Sequence, residues 1–198
     1  MKRFLLAVMM FVPFNLMAAI PEFSAMADKY GRKPLLIIAA ILFTVSAVAT
    51  GVFDDFTLFN IARFVGGIGI GIASALSPMY IAEISPSAIR GKLVSLNQMT
   101  IVLGILGAQI ANWLIAEDVP SNFGSAEILA SWNGQMGWRW MFWAEAVPAS
   151  LFLVLAFFIP ESPRWQVLRG HLSQAQATLT HIGGEEYALA EMDSIRQS

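Results

Sequence analysis

The run TLFNIARFVGGIGIGIASALSPMYIA, residues 57–82, decides the fold. It is predominantly apolar, holds one charge, Arg63, and exceeds the ~20 residues that a helix needs to cross a bilayer. Three more runs on the carboxy-terminal and amino-terminal sides, at about 35–53, 93–116 and 140–159, meet the same length criterion. Hydrophobic residues make up 57% of the 198-residue chain and charged residues 13%, roughly half the usual share of a soluble domain. An all-α, multi-pass membrane protein is therefore expected.

Composition excludes several other classes. The net charge is −2 with no basic tract, so nucleic acid is not an expected partner. The chain has no cysteine, which rules out disulfides and thiolate metal sites. His171 and His181 are isolated in a polar tail and read as surface residues, so no metal and no cofactor are expected. No nucleophile–base pair is visible either, and an enzyme is not expected.

The first apolar stretch, about 4–27, has two readings. Pro13 and Asn15 interrupt it and Pro21-Glu22 ends it, as in a weak span. Lys2-Arg3, an apolar core and Ala18-Ala19 also fit a secretory signal peptide. The basic loop from Asp28 to Pro34 favours the span, because such a loop normally follows a membrane helix.

Basic residues set the orientation. Lys29, Arg32, Lys33, Arg90, Lys92, Arg164 and Arg169 fall in alternate connections, which are therefore cytoplasmic. Asp54-Asp55 and Glu117-Asp118 mark the external ones. Lys2 and Arg3 break this rule if 4–27 spans, a violation that another helix placed ahead of it would remove. From Arg164 onward, Leu168, Leu172, Ala175 and Leu179 recur at helical spacing, which predicts an amphipathic cytoplasmic helix broken at Gly183-Gly184.

Three cytoplasmic segments carry a more specific signal. They are Ala27-Asp28-Lys29-Tyr30-Gly31-Arg32-Lys33; Val65 to Gly71 leading to Tyr80-Ile81-Ala82-Glu83 and Arg90-Gly91-Lys92; and Pro160-Glu161-Ser162-Pro163-Arg164-Trp165. Gly-Trp-Arg-Trp-Met-Phe at 137–142 adds to them. In order and spacing they resemble the sugar porter family of the major facilitator superfamily, over about residues 24–198. Within it the likeness is to the branches holding the bacterial D-xylose–proton symporter and the facilitative glucose transporters. Ser24 departs from the family's loop motif, which usually begins with glycine, and residues 1–23 match poorly. Read without the family, Gly67, Gly71 and Ala75 lie four apart and form a small-residue stripe for close helix packing in lipid. A dinucleotide loop at Gly67-x-Gly69 is rejected, since the string lies inside an apolar span.

The resemblance implies a partial six-helix half of a major facilitator transporter, with equivalents of helices 2–6 and a cytoplasmic amphipathic helix. Residues 1–163 would be the transmembrane half-domain and 164–198 the cytoplasmic linker. Counting back from the motifs, 4–27 takes the place of helix 2; helix 1 and the second half are missing, as in a truncated or split gene product. The implied function is transport of a monosaccharide, hexose or pentose, coupled to a proton, across a bacterial inner membrane, with a carboxy-terminal half required. A non-transporting sensor or regulatory partner is the alternative. The resemblance also implies that Asp28, Arg32, Glu83, Arg90, Glu161 and Arg164 form a charge network that closes the cytoplasmic side.

Two groups remain inside the spans. Gln98, Ile101, Ile105, Gln109 and Asn112 share one stripe at 3.6 periodicity. Amides are costly against lipid, so this stripe should face the bundle, as either a substrate surface or a set of interhelical hydrogen bonds. Gln98 matches the family's sugar-binding glutamine, and Ile105 stands where the glucose-transporter branch has isoleucine. Arg63 and Glu145 are the charges deep inside the firm spans, each about six residues from the outer end, roughly 9 Å at 1.5 Å per residue. Equal depth and opposite sign pair them, and by resemblance they belong to a proton-coupling site.

Overall fold

The computed structural model describes residues 20–120 and 122–197. Residues 4–19, most of the doubtful first stretch, lie outside the described residues, as do Lys2 and Arg3. The described part of that stretch is the start of helix α1, Ile20–Tyr30. Among the described residues, four helices are long and apolar enough to cross a membrane: α2 (Arg32–Val52), α3 (Phe56–Ile84), α4 (Arg90–Ile115) and a continuous helical run from Asn133 to Phe158. No strand occurs among the described residues.

Local chemistry sets the helix ends. Gly31 separates α1 from α2 at φ 99°, a left-handed conformation that a side chain disfavours. A Cβ there would also run into the Glu161 carboxylate. Pro34 sits in the first turn of α2, where its missing N–H would have had no helical partner. Asp55 caps α3, accepting from the N–H groups of Thr57 at 2.9 Å and Leu58 at 3.0 Å. Between α4 and the last span lies a short helix α5, Ser125–Ala130.

The last span begins earlier than hydropathy suggests. A π turn, Asn133–Gly137, precedes α6, Trp138–Phe158. Side chains at this turn cap the outer end of α4. Asn133 accepts from Glu117 N–H at 2.9 Å and donates to Glu117 C=O at 2.6 Å, while Trp132 Nε1 donates to Ile115 C=O at 3.2 Å. Hydropathy misses the segment because four of its five residues are glycine or carry an amide.

The core lies between α1, α2 and α3, where Ala27, Leu35, Leu36 and Ala39 meet Ile72, Leu76 and Tyr80. The close-packing face of α3 is carried by Gly66 and Gly69, rather than the expected stripe of Gly67, Gly71 and Ala75. A Cβ on Gly69 would lie 2.9 Å from the Ala39 carbonyl oxygen, one on Gly66 would strike Ser46, and one on Gly67 would meet nothing within 4 Å. Ser46 Oγ donates across the same seam to Ala62 C=O at 2.7 Å. With four glycines within six residues, spacing alone cannot choose the phase; the buried Leu76 and Tyr80 do. By contrast, α4 contains no buried residue.

The tail is three helices where one broken helix was expected: α7 (Pro163–Leu168), α8 (Leu172–Gly183) and α9 (Glu185–Gln197). The expected break stands at Gly184, φ 88°, and an additional one at Gly170, φ 79°. Ala175 and Leu179 pack on Ala188 and Met192, whereas Leu168 and Leu172 of the same apolar stripe are exposed.

The cysteine-free chain permits a direct test of orientation. Glu117, Asp54 and Lys92 are all exposed on the protein itself. A single cysteine at Glu117 or Asp54 is expected to react with a membrane-impermeant thiol reagent applied from outside, and one at Lys92 is not. External labelling at Lys92 alone would reverse the topology.

Candidate functional site

Three groupings of polar residues stand out, at the inner ends of the spans, at the outer third, and along α4. At the inner end Arg32 is the hub. Its side chain is 4% exposed, yet its guanidinium donates to Asp28 Oδ1 at 2.7 Å, Glu83 Oε1 at 2.8 Å and the Ala27 carbonyl at 3.0 Å. Glu83 accepts a further bond from Ser162 Oγ at 2.6 Å. These contacts tie α1 and α3 to the loop that follows α6. Tyr80 adds to the tie by donating to Pro160 C=O at 2.8 Å.

Glu161 works differently from its neighbours. Its carboxylate pairs with no cationic side chain among the described residues. It accepts from the backbone N–H groups of Arg32 at 2.8 Å, Lys33 at 3.2 Å and Ser162 at 2.8 Å. The first two belong to the opening turn of α2, whose N–H groups lack helical partners and whose dipole end favours a negative charge. Trp165 Nε1 and Arg169 then cap the C-terminus of α1, donating to Asp28 C=O at 3.1 Å and Lys29 C=O at 2.6 Å.

Arg90 and Arg164 stand apart from this hub. Arg90 reaches Glu191 of α9 at 4.0 Å and donates to Ser85 C=O at 3.4 Å, and its Nε is buried without a partner. Arg164 is exposed, makes no ion pair among the described residues, and lines one hollow with Glu83, Arg90 and Glu191. Burial, with Glu191 close by, holds the Tyr187 phenol above its usual range, and Arg90 works against that rise. Of the six charged residues read from the motifs, the structure joins Asp28, Arg32, Glu83 and Glu161 and leaves two at the rim.

In the outer third, Arg63 Nη1 and Glu145 Oε2 are 3.2 Å apart, bridging α3 and α6. The Arg63 guanidinium also lies 5.1 Å from the centroid of the Phe142 ring. Nearer the outside, Arg139 donates to the last carbonyls of α2, Gly51 at 2.8 Å and Val52 at 3.3 Å, pairs with Asp54, and covers the Trp138 ring at 4.4 Å. Along α4, Gln98, Ile101, Ile105 and Gln109 are exposed and Asn112 is half-buried. No group of three or more histidines and acidic residues able to hold a metal occurs among the described residues.

These groupings meet a clear likeness. The family model described as "Sugar (and other) transporter" matches residues 5–198. The chain belongs to that family. A glucose transport protein of Synechocystis is 46% identical over 80% of this chain and 33% of its own length. The D-xylose-proton symporter of Escherichia coli is 41% identical over 87% of this chain and 37% of its own. Among solved structures, the E. coli xylose transporter in a partially occluded inward-open conformation matches with a TM-score of 0.79 and 37% identity, covering 94% of this chain and 45% of that one. The same transporter bound to 6-bromo-6-deoxy-D-glucose, described as a major facilitator superfamily symporter, matches with a TM-score of 0.80 and 36% identity, over 93% of this chain and 41% of that one. The chain thus spans about a third of the length of the curated relatives it matches. It is a multi-pass membrane protein of the sugar porter family, a family of transporters rather than enzymes.

Sequence reasoning on this sugar porter chain missed Ser162 as a partner of Glu83, and the outer clamp of Arg139. The serine is quoted in its motif but carries no charge to draw notice. Arg139 was visible two residues after Gly137, and an arginine at a span's outer end beside Asp54-Asp55 was the available signal.

Stability can rank the hub's contacts. Arg32→Met leaves Glu83, 10% exposed, without its cation and is expected to cost about 3–5 kcal/mol, the usual penalty for breaking a buried pair. Asp28→Asn removes a carboxylate that is 59% exposed and should cost under ~1 kcal/mol. Thermal or denaturant unfolding in detergent reads both; equal costs would show that burial does not govern this network.

Proposed function

We propose that this chain contributes the substrate-facing amino-terminal side of a carrier that moves a monosaccharide, hexose or pentose, together with a proton across a bacterial inner membrane. Residues 1–163 form its membrane half-domain and 164–198 its cytoplasmic linker. A carboxy-terminal half, opposite α4, is required for transport. The observation that carries this reading is α4 itself. A span with no buried residue holds Gln98 and Gln109 exposed and Asn112 half-buried, where lipid would penalise amides and a polyhydroxylated ligand would satisfy them. Named relatives that carry glucose, xylose or arabinose supply the substrate class.

The remaining residues take their roles around that surface. Gln98, Gln109 and Asn112 donate to and accept from sugar hydroxyls, while Ile101 and Ile105 give the ring an apolar wall. Glu145 takes up the proton, which discharges its carboxylate, weakens its attraction for the Arg63 guanidinium and biases α3 against α6. Arg32, with Asp28, Glu83 and Glu161, holds the cytoplasmic ends together while the site faces outward; Arg90 and Arg164 complete that gate from the rim.

The test is sugar binding by this chain joined to a carboxy-terminal half. Gln98→Ala is expected to weaken affinity by about threefold to tenfold, the scale of one hydrogen bond to a neutral ligand. Unchanged affinity with a reduced amount of folded protein would make Gln98 a packing residue.

A further inference from the structure

The Arg63–Glu145 pair is not bare on its outer side. Phe142 lies one turn before Glu145 on α6, and Phe59 one turn before Arg63 on α3. With Trp138 they form a cluster of rings meeting edge to face: Phe59–Phe142 at 5.5 Å, Phe59–Trp138 at 6.2 Å and Trp138–Phe142 at 6.2 Å between centroids. Both helices run inward from the outer surface, so the rings lie between the pair and the outside. The guanidinium of Arg63 is thus held from two directions, by the Glu145 carboxylate at 3.2 Å and by the Phe142 ring at 5.1 Å.

We propose that Phe142 is a positioning residue for this pair: its ring keeps the Arg63 guanidinium opposite Glu145 in both protonation states. The proposal rests on the reading of Glu145 as the proton acceptor. The physical argument is an asymmetry between the two partners. When Glu145 gains a proton, carboxylate plus proton giving the neutral acid, its attraction for Arg63 falls. The attraction of the ring's quadrupole for the cation does not depend on that proton. A guanidinium with only the carboxylate to hold it would leave on protonation and would have to be reordered before the next cycle. With the ring present it stays in place, and Phe59 and Trp138 brace the ring by their edges.

No other charge stands close enough in sequence to take over the task. On α3, Arg63 is the single charge between Asp55, which caps the helix, and Glu83 at the inner end. On α6, Arg139 and Glu145 are the charges, and Arg139 is engaged with Asp54 and the end of α2. Between Lys33 and Asp54 on α2, and between Lys92 and Glu117 on α4, there is none.

The experiment measures melting temperature against pH in detergent for the full chain. The difference between wild type and Glu145→Gln isolates the pH-dependent part that belongs to Glu145. The same difference is then taken in Phe142→Leu, Phe142→Met and Phe142→Tyr backgrounds. Phe142→Leu is expected to shrink it by about half, and Phe142→Tyr, which keeps a ring, to restore it. If Phe142→Leu cannot be purified folded, Phe142→Met, close in volume but ringless, carries the comparison. A full-sized difference in a ringless background overturns the positioning role while leaving Glu145 as proton acceptor. A difference of zero in the wild-type background overturns both.

Discussion

Arg32 sets the constraint from which the rest of the inner half follows. Its charge is nearly sealed from water at 4% exposure, and removing such an ion from water costs several kcal/mol unless oxygen atoms replace the hydration. Three oxygens do so, two from the adjacent Ala27 and Asp28 on α1 and one from Glu83 at the end of α3. Placing them fixes how α1 turns into α2 and how the end of α3 approaches. The turn needs a residue at φ 99° with no Cβ against Glu161, which is Gly31. Glu161, in turn, occupies the opening of α2 and draws the end of α6 to it. The Arg32 guanidinium therefore joins the end of α1 to the end of α3, and the backbone N–H of the same residue binds Glu161 at the far end of α6.

Much of this architecture was legible in the chain, for physical reasons. A bilayer demands long apolar runs, and the runs at 35–53, 57–82 and 93–116 predict α2, α3 and α4 to within a few residues. The cytoplasmic motifs located the charged residues, and equal depth paired Arg63 with Glu145, which the structure places 3.2 Å apart. What failed was phase and partner. Four glycines on α3 offer two packing faces, and only the seam with α2, where Ser46 meets Gly66, selects between them. The resemblance puts Glu161 in a charge network, but its partners are backbone N–H groups, which no residue type announces. Gly170 sits inside a regular apolar period, so the helix break there is invisible to periodicity.

The spans differ sharply in how far they are buried. Helix α2 is packed between α3 and α6, with Ser46, Thr50 and Arg32 all buried, and is the most enclosed of the spans. Helix α4 touches α3 and α6 sparingly and buries nothing. The amides lie on this least constrained span, away from the small-residue seam. Under the proposed reading, polar groups that meet a soluble ligand would lie on a surface whose neighbours can separate, and the seam between α2 and α3 leaves no such room.

The π turn before α6 has a consequence for how the chain tolerates change. Five residues there occupy one wide turn, so Asn133–Gly137 holds one residue more than an α-helix would. Loss of a single residue there would close the turn to the ordinary pitch and leave the segments on either side near their present phase, because the wide turn is what absorbs the additional residue. Trp132 and Asn133 would keep their approach to the end of α4, where they now bind the Ile115 and Glu117 carbonyls. Glu145 and Phe142, downstream, would keep their register. A one-residue change in length at this turn is thereby taken up locally, without resetting the angle of a span or disturbing the charges beyond it.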